Sequence, residues 1–232
     1  MTTTVVRSEE RDRWRDAAID SRQSFPATGN FDLEANAFGL LLVHNDDTVA
    51  PGEGFDMHFH KDVEIVTWVI EGAVHHRDSG SEHITEVRAG MAQHISAGSG
   101  VRHSEVNAGG YTSGRTVRVV QSWLPADELG TPPSHASHDF SGRQGLTQIA
   151  GPGSPLPLGT SGASLYIALI DATPLTVPGS AYVHLYVLSG RIDVAGHTLA
   201  EGDVLRGRDV EKLEVTGDGE ILVWMMDRAI NA

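Results

Sequence analysis

The sequence predicts an all-β protein with two barrels in one chain of 232 residues. The 26 glycines and 10 prolines stand between short runs rich in β-branched residues, which is typical of many short strands joined by turns. The chain is long enough for two small domains, each with its own core. A short pattern in the first half also recurs in the second half, which favours a duplicated unit.

Strand-like segments follow one another through the first half. The apolar runs 63–70 and 72–74 are separated by Glu71-Gly72, a pattern typical of a hairpin turn within a sheet. The run 117–124 predicts a further strand that ends at Pro125. Strands of this length at this spacing favour a closed barrel or a sandwich. Helix is expected mainly over 9–19.

The second half returns to strand-like patterns after a segment rich in Pro, Gly, Ser and His. We therefore expect an N-terminal barrel over 1–130, a linker over 131–160 and a C-terminal barrel over 161–232. The letters V-I-E-G at 69–72 correspond to V-L-S-G at 187–190, and V-R-A-G at 87–90 corresponds to L-A-E-G at 199–202. These matches are the basis for the predicted duplication.

Composition excludes several classes of partner and site. The 17 Lys and Arg against 31 Asp and Glu give a net charge of −14, which repels phosphate backbones and anionic lipid headgroups. We expect no direct nucleic-acid partner and no membrane. Without cysteine there is no disulfide and no thiolate ligand. The charged first 20 residues lack an apolar stretch for a signal peptide, so a cytoplasmic location is expected.

Two pairs of residues indicate a metal site. His58 and His60 are two apart in a strand-like segment, so both rings point to the same face of the sheet. His103 and Glu105 repeat that spacing after a glycine-rich turn. On neighbouring strands, the two pairs would supply three nitrogens and one oxygen to one ion. Glu64, which has the same strand parity as His60, is the alternative carboxylate.

This ligand set predicts one divalent ion with open positions. Three nitrogens and one carboxylate oxygen leave two octahedral positions for water or substrate, which suits Fe(II), Mn(II) or Ni(II) better than structural zinc. We expect Fe(II), with Mn, Ni, Co, Cu and Zn as alternatives. The remaining N-terminal histidines do not pair at the required spacing and are expected to lie on polar strand faces or to support the ligands; they include His75, His76, His83 and His94.

Two segments resemble the motifs of the cupin fold, a jelly-roll barrel. From Gly52 to Glu64 the spacing G-x5-H-x-H-x3-E matches the first cupin motif in full. The segment 90–107 resembles the second motif in the longer form found in pirins. Further matches, among them H-R-D-S at 76–79 and Q-S-W at 121–123, extend the resemblance over roughly 20–135. The sequence is thus similar to the pirin family of two-barrel cupins, although Phe59 stands where many pirins have proline.

The resemblance implies both a ligand set and an activity. Pirins take their fourth ligand from the second motif, which assigns that role to Glu105 and not to Glu64. Bacterial pirins are associated with quercetin 2,3-dioxygenase activity, so we expect an O2-dependent oxidoreductase that acts on a flavonol or a similar enolizable phenolic, with Glu105 as its base. A regulator that acts through protein partners is the alternative. The second barrel, where His184 and His197 are isolated, is expected to hold no metal.

Overall fold

A computed structural model of the chain describes residues 1–25, 32–80, 83–171 and 173–230. Within these ranges, two short 3-10 helices, Ser8–Glu10 and Glu34–Asn36, accompany seventeen strands. No helix in this part of the chain has the length and apolar character needed to cross a membrane. The strands are β1 (Thr2–Val6), β2 (Asp12–Arg15), β3 (Ile19–Gln23), β4 (Val43–Val49), β5 (Gly54–His60), β6 (Val63–Glu71), β7 (Ala73–Asp78), β8 (Thr85–Arg88), β9 (Met91–Ser96), β10 (Val101–Asn107), β11 (Val117–Pro125), β12 (Ser134–Asp139), β13 (Thr147–Ala150), β14 (Ala163–Ile170), β15 (Leu175–Val194), β16 (His197–Ala200) and β17 (Val204–Met226).

Two facing sheets form the N-terminal half. One has the strand order β12-β9-β6-β11-β4-β3-β2, and the other has the order β5-β10-β7-β8. Apolar side chains of both sheets pack into one core, for example Val49 and Val119 from the first sheet against Val74 and Val87 from the second. The all-β fold class predicted from the turn-rich sequence is therefore confirmed.

The turn predicted at Glu71-Gly72 is present, but it does not connect two strands of the same sheet. Gly72 has a φ of 76°, the left-handed conformation that glycine adopts without strain. The turn carries the chain from β6 in the larger sheet to β7 in the smaller one. Gly72 therefore marks a corner of the barrel.

The C-terminal half forms a sheet of its own around a second core. Its order is β13-β14-β17-β15-β16, and β1 also pairs with β17. The long strands β15 and β17 wrap around this core, so that Tyr182 pairs with Arg208 on one side and with Met226 on the other. Val187 and Val223 are among the fully buried side chains inside it.

The two halves also share a core. Trp68 and Leu124 from the first half belong to the same buried cluster as Tyr186 and Trp224 from the second. The Trp224 indole Nε1 donates a hydrogen bond of 3.0 Å to the Ser122 hydroxyl. Polar and apolar contacts across this boundary therefore hold the two halves together.

The helix expected over 9–19 is wrong. Residues 12–15 form β2, which pairs antiparallel with β3. The Asp16 carboxylate accepts hydrogen bonds from the backbone N–H groups of Ala18 and Ile19, each 2.8 Å long, and this side-chain-capped turn reverses the chain. The ion pair between Arg13 and Asp20 then ties the two strands together.

The segment expected as a linker, 131–160, contains two strands. Its β12 extends the larger N-terminal sheet by pairing with β9, and its β13 pairs with β14 in the C-terminal sheet. The edge strand β12 has the sequence S-H-A-S-H-D, which contains no apolar run from which a strand could be predicted. The division into separate domains at 130 and 161 stays a prediction.

Two histidines pack against each other where the halves meet. The rings of His44 and His184 lie 4.5 Å apart between centroids, and both side chains are fully buried. Neither ring nitrogen of His184 has a hydrogen-bond partner among the described residues. Burial, reinforced by the nearby charges of Arg11 and Arg206, lowers the pKa of both histidines well below the ordinary value.

We predict that the free energy of unfolding falls as the pH drops below about 6.5, the ordinary histidine pKa. There the unfolded chain takes up protons on His44 and His184 while the folded chain does not, so protonation favours unfolding. His184→Leu, which cannot titrate, should reduce the slope of stability against pH by up to about 1.4 kcal/mol per pH unit. Urea unfolding across this pH range measures the slope, and an equal slope in both proteins would contradict the prediction.

Candidate metal centre

The pairing of β5 with β10 brings together the residues predicted as ligands. His103 lies directly opposite His58, and Val101 lies opposite His60. A register shift follows between His103 and Glu105. The two backbones approach closely at Gly54, where a Cβ atom would overlap the Glu105 carbonyl oxygen and lie 2.6 Å from Val106 Cα.

Three of the four predicted ligands converge. Ring centroids are 4.4 Å apart for His58 and His103, 4.6 Å for His58 and His60, and 5.1 Å for His60 and His103. One nitrogen of each ring lies within 4.8 Å of the other two. His60 Nε2 and both nitrogens of His103 are buried without a hydrogen-bond partner in the described part of the chain. Because buried nitrogens of this kind are unfavourable unless paired, the three residues fit a divalent metal ion.

The protonation state of these rings also suits a metal. Burial and then the neighbouring histidines lower the pKa of His103 to about 2, and burial followed by His58 lowers that of His60 to about 4. Both rings are therefore neutral at pH 7, the form that binds metals. His58 Nδ1 donates to the Asp56 carbonyl oxygen at 2.7 Å, which leaves its Nε2 lone pair available.

Glu105 contributes a buried carboxylate that accepts three hydrogen bonds. Gln121 Nε2 donates to Oε2 at 2.8 Å, while Thr67 Oγ1, at 3.4 Å, and Gln93 Nε2 donate to Oε1. Burial raises the pKa of Glu105 to about 6, and the three hydrogen bonds oppose that rise. Glu105 is not part of the group of ligand atoms within 4.8 Å, so its role as fourth ligand stays a prediction.

Two further side chains fix the orientation of the amides that hold Glu105. Trp123 Nε1 donates to Gln121 Oε1 at 2.8 Å, and His135 Nε2 donates to Gln93 Oε1 at 3.0 Å. Since each amide oxygen accepts an N–H, each amide NH2 group faces Glu105. The site is therefore built to present donors to a carboxylate.

Glu64, the alternative carboxylate, is engaged elsewhere. His94 Nε2 donates to it at 2.6 Å, Ser96 Oγ at 2.7 Å and the backbone N–H of Gly159 at 2.9 Å. Burial raises the pKa of Glu64, but these hydrogen bonds outweigh burial and hold it below the ordinary value. Glu64 ties β6 and β9 to the segment before β14, which favours Glu105 as the carboxylate of the site.

Sequence patterns alone did not identify the side chains that support Glu105. Gln121 and Trp123 are two residues apart on β11, so their side chains lie on the same face of the strand. This two-residue spacing was visible in the sequence. His135 was hidden because it lies in the segment expected as a linker. Phe59, the departure from the pirin pattern, points away from the flanking histidines and is 54% exposed, so it does not enter the site.

Comparison with known proteins finds relatives that match nearly the whole chain. The Pirin family model matches residues 6–124. Quercetin 2,3-dioxygenase from Escherichia coli K12 is 29% identical over 95% of this chain and 96% of its own length. A Mycobacterium tuberculosis protein that carries the same name provisionally is 36% identical over 97% of this chain and 96% of its own.

Two solved structures show the same likeness. The crystal structure of YhhW from Escherichia coli has a TM-score of 0.89 at 29% identity and covers 98% of this chain and 99% of that protein. The complex of the bacterial pirin YhhW with nickel(II) has a TM-score of 0.88 at 30% identity and covers 98% and 100%. Both likenesses extend over the two halves of the chain.

We predict that His103→Ala weakens Ni(II) binding by more than about 100-fold, beyond the loss expected from a supporting contact, because it removes one of three converging nitrogens. The chain should stay folded, since its hydrophobic cores do not depend on an ion. Calorimetric titration of wild type with Ni(II) beyond one equivalent should show one tightly bound ion per chain.

The matched control for this substitution is His197→Ala, at an exposed position of β16, which should bind Ni(II) like wild type. Circular dichroism checks the fold of each variant. Wild-type affinity in His103→Ala would be evidence against the site, and unfolding of the variant would contradict the expectation that the cores alone maintain the fold.

Proposed function

The chain belongs to the pirin family, and on that premise we propose that it is a metal-dependent dioxygenase of the quercetin 2,3-dioxygenase type. Its substrate is a flavonol or a similar enolizable phenolic, and O2 opens the ring of that substrate. The observation that carries the proposal is the convergence of His58, His60 and His103 on the strands that also carry the buried carboxylate of Glu105. His60 Nε2 and both nitrogens of His103 have no hydrogen-bond partner among the described residues. Relatives that carry the name of this activity support it.

The ligand atoms of the site determine which divalent ions it favours. Imidazole nitrogens and a carboxylate oxygen, without sulfur, suit Fe(II), Mn(II) and Ni(II), and nickel(II) is the ion in the YhhW complex. When bound, a divalent ion supplies Lewis acidity that lowers the pKa of a phenolic hydroxyl. His58, His60 and His103 would hold it, and we assign the fourth ligand position to Glu105.

Glu105 is suited to take the proton of the phenolic hydroxyl. With a pKa of about 6, the carboxylate is mostly ionised at neutral pH yet close enough to that pH to act as a general base. The amides of Gln93 and Gln121 keep both carboxylate oxygens in place before and after the transfer. Both atoms of O2 enter the products, so the reaction needs no external reductant.

The substrate rings have to lie at the mouth of the barrel. Next to Glu105 and Gln121, the barrel interior leaves a cavity of only about 10 Å³, enough for roughly one water molecule. Val49, Val117 and Val119 line it. Because His58 and His60 are partly exposed, the hydroxyl group of an aromatic ligand can reach the site from outside while its rings stay at the surface.

We predict metal-dependent oxygen consumption by this protein. Wild type loaded with Fe(II) or Ni(II) should consume O2 with quercetin or another flavonol and release carbon monoxide, whereas the metal-free protein should not. An oxygen electrode measures the uptake across a panel of flavonols and other enolizable phenolics. No uptake with any panel member would count against the dioxygenase and would favour a regulator that acts through a protein partner.

We predict that Glu105→Gln separates the base from the ligand. Glutamine keeps an oxygen that can coordinate an ion but cannot accept a proton at neutral pH. Turnover should fall by about 100-fold or more, the range typical of a lost general base, while much of the metal remains bound. Raising the pH should restore part of the rate, because solution then removes the hydroxyl proton.

Glu64→Gln is the matched control for this variant. Glu64 is also a buried carboxylate, but His94 and Ser96 donate to it and the donors to Glu105 do not. Metal binding and turnover should therefore change little, while the free energy of unfolding should fall. Loss of metal in Glu64→Gln together with wild-type turnover in Glu105→Gln would show that the carboxylate roles are exchanged.

A further inference from the structure

A second group of potential ligands lies beside the histidine cluster. His76 and Asp78 on β7 and His135 on β12 each place one ligand atom within 4.8 Å of the others. The rings of His76 and His103 are 5.5 Å apart between centroids. Within the ranges that the structure describes, this is the one other group of three histidine or acidic side chains that meets this distance.

The second group is built from different strands than the first. β10 lies between β5 and β7, and its residue His103 pairs with His58 on one side and with Asp78 on the other. His135 comes from the edge strand of the facing sheet. The two groups therefore share no residue. They are linked through His135, which donates to the Gln93 amide that holds Glu105.

The side chains of this group have unused ligand capacity. His76 is 1% exposed, and its Nε2 lies 3.2 Å from an Asp78 carboxylate oxygen, so an ion that replaces the shared proton can bind both atoms. His135 Nε2 donates to Gln93, which leaves the Nδ1 lone pair of His135 for another bond.

The group is also open to solvent. A cavity of about 310 Å³ borders Asp78 and His135 and is lined further by Ile95, Val101 and Pro133. An ion can enter from this cavity without passing the first histidine cluster, whose residues do not line it.

We propose that His76, Asp78 and His135 form a second divalent cation site, distinct from the one at His58, His60 and His103. Two imidazoles and one carboxylate are a common ligand set for zinc and for other first-row divalent ions, and they leave positions for water on the cavity side. This site does not depend on the proposed dioxygenase activity, because none of its residues takes part in the proton transfer assigned to Glu105.

The stacked arrangement of the two rings makes this the weaker site. His76 and His135 lie 3.9 Å apart with an angle of 15° between their planes. A ring nitrogen binds an ion in the plane of its ring, so both rings point at one ion only after the stack opens. The edge strand β12 and the adjacent cavity give His135 room to turn, and this rearrangement reduces the affinity.

Zn(II) titration of the full-length protein tests the proposal. Calorimetry with excess Zn(II) should show two ions per wild-type chain, one tight and one at least about tenfold weaker. Asp78→Asn should remove the weaker ion and keep the tight one. His135→Ala should also remove the weaker ion. The double variant H58A/H60A should do the reverse. His138→Ala, on the exposed side of the same strand β12, is the matched control and should bind both ions.

Two results would overturn the proposal. One is saturation of the wild type at a single ion, and the other is a weaker ion that persists in both Asp78→Asn and His135→Ala. Circular dichroism identifies any variant that fails to fold. If His135→Ala fails to fold, Asp78→Asn, which is nearly isosteric with the wild type, still tests the site. Because the readout is metal binding and not turnover, failure here leaves the dioxygenase proposal untouched, and failure of oxygen uptake leaves this site untouched.

Discussion

The register between β5 and β10 is the constraint on which the histidine cluster depends. With His103 opposite His58, the inward positions of both strands carry the three converging histidines and the outward positions carry other side chains. A slip of one residue would turn His58 and His60 out of the barrel and bring the exposed Met57 and Phe59 into it. The strand pairing that closes the barrel therefore also brings the three histidines together.

Burial acts on the two kinds of titratable group in opposite directions. It lowers the pKa of His60 and His103, which keeps their lone pairs free at neutral pH, and it raises the pKa of Glu105 toward neutrality. Removal from water thus keeps the two imidazoles neutral and brings the pKa of the carboxylate close to neutral pH. The hydrogen bonds from Gln93 and Gln121 limit the second shift, so that the carboxylate still ionises.

Local regularities made part of this structure predictable. The convergence of His58, His60 and His103 followed from the two-residue period of a strand, and the all-β class followed from frequent turns. The edge strand β12, by contrast, carries no apolar run, and the reversal at Asp16 depends on a side chain that caps its own turn. The support of Glu105 by His135 through Gln93 joins strands distant in sequence, which no local pattern encodes.

The pairing of β1 with β17 determines when β1 can fold during synthesis of the chain. Thr2 lies opposite Arg208, so β1 leaves the ribosome long before its partner strand. At about 5–20 residues per second, that partner follows roughly 10–40 s later. The strands of both N-terminal sheets, which end with β12, are complete well before then. Docking of β1 is thus a late step of biosynthesis, and a nascent chain that stalls before β17 leaves β1 unpaired.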